Sequence, residues 1–152
     1  MKIGMVCYPT HGGSGVVASE LAIGLAKKGH EIHIVSYAPP FRLSAFHPNI
    51  FIHEVAVSSY PLFKYPPYEL GLATLLAELS EAHGIDVIHA HYAVPHAASA
   101  YLAGQILGPS RPRTLTTLHG TDITLVGTEP SFRHVTIGTS RPCSAMSALR
   151  AS

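Results

Sequence analysis

The chain has 152 residues, of which 47% are hydrophobic and 12% are charged. This composition excludes a disordered or fibrous protein and allows one compact domain of ordinary size. The ten Lys and Arg residues exceed the nine Asp and Glu residues by one and are not clustered, so no nucleic-acid partner is expected.

Cysteine content and apolar runs bear on the compartment. Cys7 and Cys143 cannot form a disulfide framework, which indicates a reducing environment. The apolar run 3–8 is shorter than the core of a signal peptide. The uncharged stretch 87–110 has the length of a membrane span, but three histidines and a proline interrupt it, which favours a strand, a turn and a packed helix. The sequence therefore predicts a cytoplasmic protein with no membrane contact.

Strand-like and helix-like segments alternate along the chain. Strands are expected at 2–8, 31–37, 50–57, 85–91 and 113–119. Helices are expected after the Gly-rich loop 10–15, over 67–83 with a stop at Gly84, and over 95–107. This alternation predicts an α/β fold with a doubly wound, mostly parallel, Rossmann-like sheet of strand order 3-2-1-4-5.

Three segments have additional signals. The first helix places Val17, Leu21 and Leu25 one turn apart on one face, the pattern of a helix packed on a core. The connections 38–49 and 58–66 are longer than the fold needs, and they are either functional or simple surface loops.

The last part of the chain loses this pattern. From residue 134 onward it has few large apolar side chains and no clear period. The sequence predicts a domain over 1–133 and an atypical tail over 134–152, and it leaves open whether that tail is disordered, truncated or altered.

The first loop has the features of an anion site. Ligands of doubly wound sheets bind beyond the carboxyl ends of the strands, near the switch point between the first and fourth strands. Glycines 12, 13 and 15 let the backbone approach a ligand there, and the following helix offers free N–H groups to an anion. Ser14 is placed to cap that helix, to contact the ligand, or to do both.

Dinucleotide binding is the runner-up interpretation. Gly13, Gly15 and Ala18 fit the dinucleotide fingerprint, which is weak evidence on its own. An NAD-linked oxidoreductase would carry an acidic residue at the end of the second strand, where this chain has Ser36 and Tyr37. Neither a P-loop nor a nucleophile-elbow motif is present.

The fourth and fifth strands end in polar residues. His89 and His91 share one face, but no Cys or carboxylate at ligand spacing joins them, so no metal site is predicted. Together with Thr117 and His119 at the end of the fifth strand, and with the Gly-rich loop, they surround one cleft with imidazole, hydroxyl and backbone donors. That set suits a small polyanionic or polyhydroxylated ligand, held by an enzyme or by a binding module without catalysis.

Six blocks in chain order are specific enough to indicate a family: MKIGMVCYPTHGGSGVVASELAIGLAKKGHEIHIVS, PPFRL, HPNIFIHEV, YPPYELGLA, DVIHAHYAVPHAASAYLA and TLTTLHGTDITLVGTEPS. Over residues 1–134 the chain closely resembles the N-terminal half of the N-acetylglucosaminyl L-malate synthases of bacillithiol biosynthesis. That family is similar to retaining glycosyltransferases of the GT-B fold, in which two Rossmann-like domains face each other across the active-site cleft.

The resemblance implies transfer of N-acetylglucosamine from UDP-N-acetylglucosamine to the hydroxyl of L-malate, with no cofactor and no catalytic metal. It implies that this domain binds mainly the acceptor, that Gly12 and Gly13 lie against the donor diphosphate, and that Ser14 contacts a malate carboxylate. The residues that would line the acceptor and transferred-sugar site are Tyr92, Thr117 and His119. Of these, His119 is the expected catalytic residue. We add Arg42, in the loop 38–49, as a substrate-binding cation that neutralises charge.

The chain departs from the family after residue 133, because no C-terminal donor domain follows. Catalysis needs both reactants held together, so the chain alone is expected to be inactive or nearly so. A related GT-B glycosyltransferase with another acceptor is the near alternative. A domain that faces another domain exposes apolar surface when alone, so self-association into a homo-oligomer is expected.

Overall fold

The computed structural model describes residues 1–58 and 60–140. Its strands are β1 (Lys2–Val6), β2 (Glu31–Ser36), β3 (Ile50–Glu54), β4 (Val87–His91) and β5 (Arg113–Thr117). All neighbouring strands are parallel, in the order β3-β2-β1-β4-β5. This arrangement confirms the predicted α/β, doubly wound, Rossmann-like sheet and places the carboxyl ends of all five strands along one edge.

Four of the strands end sooner than predicted. Strands β1, β2, β3 and β5 end one to three residues before the ends predicted from the sequence. The backbone leaves the sheet there to form loops over its carboxyl edge, although single hydrogen bonds continue, such as Val55 N–H to the Ser36 carbonyl at 2.9 Å. The residues beyond the ladder, Tyr8 and His119 among them, are therefore presented by loops.

The helices are α1 (Ser14–Lys27), α2 (Tyr68–His83), α3 (Ala98–Leu107) and α4 (Pro130–Ser140). Short helical turns occupy Phe41–Leu43, Ala93–Ala97, Gly108–Ser110 and Asp122–Val126. Gly84 ends α2 in the left-handed conformation, as predicted, and its N–H donates to the Ser80 carbonyl at 2.9 Å.

Two apolar cores cover the two faces of the sheet. On one face, Val6, Val35 and Ile88 of the strands pack with Leu72 and Leu76 of α2 and with side chains of α3. On the other face, Met5, Ile32 and Ile34 pack under α1. Because β1, β2 and β4 are covered on both sides, their sequences are apolar runs without alternation.

The buried face of α1 differs from the prediction. Of the three predicted residues, Leu25 is partly buried against the core as expected, whereas Val17 is 50% exposed and Leu21 is 38% exposed. The side chains that meet the sheet are small ones: Ser14, Gly15, Ala18, Ser19, Ala22 and Ala26. Small residues let the helix approach the strands closely, which decides the packed face more strongly than the spacing of the larger side chains.

The predicted boundary after residue 133 lies inside a helix. Helix α4 runs through it, from Pro130 to Ser140, so regular structure continues at least to that residue. Residues 141–152, which include Cys143 and the rest of the predicted tail, lie outside the described residues. Among the described residues, no helix is long and apolar enough to cross a membrane. The stretch 87–110 instead folds as β4, a helical turn and α3.

Candidate functional site

The Gly-rich loop joins β1 to α1 at the carboxyl edge of the sheet. Gly13 has φ +58° and ψ −127°, a conformation that favours glycine. A Cβ on Gly15 would lie 2.5 Å from the Thr10 carbonyl oxygen and 2.8 Å from that of Tyr8, so this position admits only glycine without movement of the loop. A Cβ on Gly12 would meet nothing within 4 Å. The loop is therefore packed against its own helix on one side and open on the other.

Ser14 is the first residue of α1 and is 4% exposed. The cap position belongs to Gly13, and no side chain caps the helix, so the expectation that Ser14 serves as the N-cap is wrong. The reason is that Gly13, with its positive φ, occupies the cap position. Ser14 is then the first residue inside the helix, where its hydroxyl is not placed to cap. The first N–H groups of α1 are thereby left without a side-chain partner from the cap, as an anion site needs.

Aromatic rings connect this loop to the ends of β4 and β5. The ring of Tyr8, which follows β1, lies 5.2 Å from that of Tyr92 and 4.4 Å from that of His96. The Tyr92 ring lies 4.6 Å from that of His119. Tyr92 has φ +84°, and its N–H donates to the Thr117 carbonyl at 3.0 Å. The structure thus brings together three residues predicted from different parts of the sequence: Tyr92, Thr117 and His119.

A second network runs through the histidines. His91 Nδ1 and His119 Nε2 share a hydrogen bond of 3.2 Å, and His89 Nε2 lies 2.7 Å from Thr117 Oγ1. The rings of His89 and His91 stack with centroids 4.5 Å apart. Each of the two β4 histidines therefore contacts one predicted site residue: His89 contacts Thr117, the last residue of β5, and His91 contacts His119, which follows β5. Within the described residues, His91 Nε2 is buried and has no hydrogen-bond partner.

Burial keeps the inner histidines neutral. It lowers the pKa of His91 to about 3, with smaller contributions from neighbouring histidines, and lowers the pKa of His96 to about 4. Burial also lowers the pKa of His89. His96 Nδ1 lies within hydrogen-bonding distance of the His91 carbonyl, so the neutral ring donates from that nitrogen. At neutral pH these rings provide hydrogen bonds and no charge.

Asp122 connects the loops that follow β4 and β5. It is 1% exposed, and its carboxylate oxygens accept the Ala93 N–H at 3.0 Å and the His119 N–H at 2.9 Å. The carboxylate therefore ties the loop after β4 to the loop after β5. The sequence signal that could have found it is its position three residues after His119, the spacing at which a side chain bonds back to the backbone.

Arg42 lies apart from this cluster, on the turn Phe41–Leu43. Its Nη1 lies 3.5 Å from Glu20 Oε1 of α1, and both side chains are more than half exposed. The turn itself contacts the Gly-rich loop, because the rings of His11 and Phe41 are 4.4 Å apart. Arg42 thus lies beside the loop with its guanidinium directed to α1, and its role in substrate binding stays a prediction.

The fold and the loop chemistry agree with comparisons to known proteins. The family model of glycosyltransferase family 4 matches residues 11–142. The chain belongs to glycosyltransferase family 4. The family assignment confirms the glycosyltransferase class expected from the resemblance.

Individual relatives refine this family assignment. The family 4 chain is 52% identical over 135 residues to N-acetyl-alpha-D-glucosaminyl L-malate synthase of Bacillus anthracis, a match that covers 89% of this chain and 35% of the relative. The chain thus spans about a third of the length of that curated relative. This similarity confirms the predicted resemblance.

Solved structures give the same fold. A glycosyltransferase from Rickettsia africae superposes with a TM-score of 0.62 at 27% identity, covering 88% of this chain and 32% of the other. Sucrose-phosphate synthase from Thermosynechococcus elongatus superposes with a TM-score of 0.61 at 15% identity, covering 91% of this chain and 39% of the other. The described part of this family 4 chain has the Rossmann-like fold of the GT-B neighbours.

In this family 4 chain, His119 and Tyr8 provide hydrogen-bonding groups at the site. His119 uses Nε2 for its bond to His91, and within the described residues its Nδ1 makes no hydrogen bond. Tyr8 was predicted as part of the first strand, yet Tyr8 lies beyond β1 and its ring contacts that of Tyr92. Burial, with smaller contributions from nearby phenols and acids, raises the pKa of Tyr8 to about 12. Its hydroxyl therefore remains protonated and able to donate.

Proposed function

We propose that this chain forms the acceptor-binding side of a retaining glycosyltransferase that transfers N-acetylglucosamine from UDP-N-acetylglucosamine to L-malate in bacillithiol biosynthesis. The observation that carries the proposal is the contact of Tyr92 with both Tyr8 and His119, which joins an open anion-binding loop to a hydroxyl- and imidazole-rich wall. The name of the Bacillus anthracis relative, which is 52% identical over the matched region, supplies the substrates.

Malate suits the open side of the Gly-rich loop. A carboxylate at the start of α1 gains roughly 0.3–1 kcal/mol from the helix dipole, and about 2 kcal/mol where the site is partly buried. Charge-assisted hydrogen bonds from the backbone N–H groups of Gly13 and Ser14 add to that gain. The open space in front of Gly12 leaves room for a diphosphate to approach the same loop.

His119 is placed to act on the transferred sugar or the acceptor hydroxyl. Its backbone is fixed by Asp122 and its ring by His91 and Tyr92, so Nδ1 presents a defined hydrogen-bonding position. Asp122 does not suit the part of a nucleophile, because it is 1% exposed and its two oxygens accept backbone N–H groups. Asp122 therefore fixes the backbone of the two loops, and we assign the catalytic role to His119.

Calorimetric titration of the chain with L-malate tests the acceptor assignment. We expect saturable binding that Ser14→Ala weakens, with Ser44→Ala, an exposed serine on another loop, as the matched control. Malate binding that survives Ser14→Ala unchanged would contradict the placement of the acceptor. Binding of other hydroxy acids but not of malate would favour the related glycosyltransferase with another acceptor.

Binding of NAD in the same titration would favour the runner-up oxidoreductase. Family membership favours sugar transfer instead. The end of β2 also lacks the expected acid, since Ser36 stands there with its hydroxyl buried and without a hydrogen-bond partner in the described part of the chain. We expect no NAD binding.

We further propose that the 152-residue chain is inactive or nearly so by itself. The relative named as a synthase is about three times as long as the matched region, and a half-cleft cannot hold donor and acceptor together. Release of UDP from UDP-N-acetylglucosamine in the presence of malate measures this directly. We expect no turnover by this chain under conditions in which the Bacillus anthracis synthase is active, and turnover at a comparable rate would contradict the proposal.

A further inference from the structure

A second cluster of ionisable side chains lies away from the Gly-rich loop and the ends of β4 and β5. Glu31 is the first residue of β2, and His33 lies two residues further on the same face of that strand. His83 is the last residue of α2, which covers this face, and His53 lies on the neighbouring strand β3. The proposed glycosyltransferase function uses none of these four side chains.

Three of the four residues have donor atoms at close range. One donor atom each from Glu31, His33 and His83 lies within 4.8 Å of the other two. His33 Nε2 is 2.9 Å from Glu31 Oε1, and the ring centroids of His33 and His83 are 4.5 Å apart. Donor atoms around a tetrahedral zinc ion stand roughly 3.2–3.6 Å apart, because Zn–N and Zn–O bonds are about 2.0–2.2 Å long. Small side-chain movements would therefore bring the three donors onto one ion.

We propose that Glu31, His33 and His83 bind a divalent transition metal ion such as Zn²⁺. Two imidazoles and one carboxylate form a donor set typical of zinc, whereas Mg²⁺ and Ca²⁺ prefer oxygen ligands. Three protein ligands leave a fourth position for water. The ion would join the start of β2 to the end of α2, so its role is to fix these elements rather than to take part in sugar transfer.

The surroundings of His33 orient it for this task. The side chain is 1% exposed, and its Nδ1 lies 2.9 Å from His53 Nε2 in a stacked pair of rings. In the structure the Nε2–H of His33 donates to Glu31 Oε1, and Nδ1 accepts from the Nε2–H of His53. A bound ion would replace the Nε2 proton, and the ring would then carry its proton on Nδ1 and donate it to His53, which is the arrangement of a metal-binding histidine. His53 is therefore a positioning residue for the site and not a ligand.

Two charges act on the proposed ion in opposite directions. The carbonyl end of α2, where His83 lies, carries partial negative charge and favours a cation. The ammonium group of Lys2 lies 3.4 Å from Glu31 Oε1 and competes with the ion for that carboxylate. The Lys2 side chain is 44% exposed, so it can turn to solvent when the ion binds.

Calorimetric titration of the metal-free, tag-free chain with Zn²⁺ tests the site. We expect one site per chain and a loss of affinity of at least about tenfold in His83→Ala, because a ligand is removed. The chain has 11 histidines, so a matched control is needed. His134→Ala removes an exposed imidazole from α4 and is expected to leave the affinity unchanged.

Two further variants separate the site from general histidine binding and from misfolding. His53→Ala is expected to lower the affinity by about 10–100-fold through loss of orientation, whereas Lys2→Met is expected to raise it, a gain that an unfolded variant could not show. Circular dichroism without metal verifies the fold of each variant. Equal affinity in wild type and His83→Ala, or equal losses in His83→Ala and His134→Ala, would overturn the proposal. These tests read out metal binding and do not depend on the glycosyltransferase activity.

Discussion

The carboxylate of Asp122 shows how one buried residue sets the geometry of two loops. It accepts the Ala93 N–H and the His119 N–H while it is 1% exposed. A buried carboxylate that accepts two backbone N–H groups holds both backbone segments in place. The position of the His119 backbone therefore depends on a neighbour that is itself buried.

Replacing Asp122 by Asn is the first test at this scale. Asn keeps the shape but offers one acceptor where two N–H groups need one each, so we expect the free energy of unfolding to fall by about 1.5–3 kcal/mol. Urea denaturation measures this loss. Asp86→Asn is the matched control, since Asp86 is exposed and accepts a single N–H, from Lys2 at 2.8 Å. An equal loss in the two variants would show that burial and the second acceptor do not matter.

The buried histidines predict a dependence of stability on pH. His91 and His96 have folded pKa values of about 3 and about 4, below the value of about 6.5 for an unfolded histidine. Below pH 6.5 the unfolded chain therefore binds more protons than the folded one. The stabilisation is complete above pH 6.5 and is lost as the pH falls toward 4, by about 1.4 kcal/mol per pH unit for each histidine at most.

Urea denaturation between pH 7 and pH 5 tests this dependence. His96→Asn can keep the hydrogen bond from the Nδ1 position to the His91 carbonyl while it removes the titrating ring. We expect the unfolding free energy of this variant to fall less steeply with decreasing pH than that of the wild type. If the two pH profiles were parallel, the folded protein would not lower the pKa of His96, and the prediction would be wrong.

At the scale of elements, the α1 helix and its entry loop are one packed unit. Gly15 lies so close to the Tyr8 and Thr10 carbonyls that no side chain fits, whereas Gly24, later in the same helix, has open space around the position of a Cβ. Glycine is therefore required by close packing at position 15 and is not required at position 24 of the same helix.

This difference predicts effects of opposite sign. Gly15→Ala is expected to destabilise the protein and to weaken malate binding, because the loop must move away from the helix. Gly24→Ala is expected to stabilise it by about 0.5–1 kcal/mol, the usual gain from Gly to Ala inside a helix. Urea denaturation of the two variants measures both signs. Destabilisation by both substitutions would contradict the packing of the loop.

Sequence patterns located these elements well and their packed faces less well. The apolar runs and the stop at Gly84 indicated β4 and α2 because strand burial and helix termination are local properties. The predicted packed face of α1 was right for Leu25 and wrong for Val17 and Leu21. The close approach of α1 to the sheet through small side chains is decided by the facing strands and not by the helix alone. The extent of α4 past residue 133 was likewise not visible in its weak apolar pattern.

At the scale of the whole molecule, large apolar side chains remain exposed on several elements. Tyr101 and Ile106 of α3 are 62% and 59% exposed, Leu115 of β5 is 54% exposed and Phe132 of α4 is 44% exposed. In the part of the chain that the structure describes, β5 is also an edge of the sheet. Exposed apolar surface and an unpaired edge both favour association with another protein surface.

Self-association in solution is the prediction that follows. We expect the weight-average mass from light scattering to rise with protein concentration, because burial of these side chains in a dimer removes apolar area from water. Ile106→Lys is expected to reduce the rise, and Lys28→Ala, which changes an exposed residue just after α1, serves as the control. A constant monomer mass at high concentration would contradict the prediction.

The sequence by itself determined the alternation of strands and helices, the strand order and the residues at the carboxyl edge. Burial of parallel strands, glycine stops and the switch-point rule act through local patterns that a single chain displays. Only the tertiary structure decided that Asp122 ties two loops together and that Tyr8 joins the first loop to Tyr92. It alone placed Glu31, His33 and His83 within reach of one ion. Each of these arrangements includes a pair that is distant in sequence: Ala93 with Asp122, Tyr8 with Tyr92, and His33 with His83. Distances of that kind are set by packing, which leaves no periodic trace along the chain.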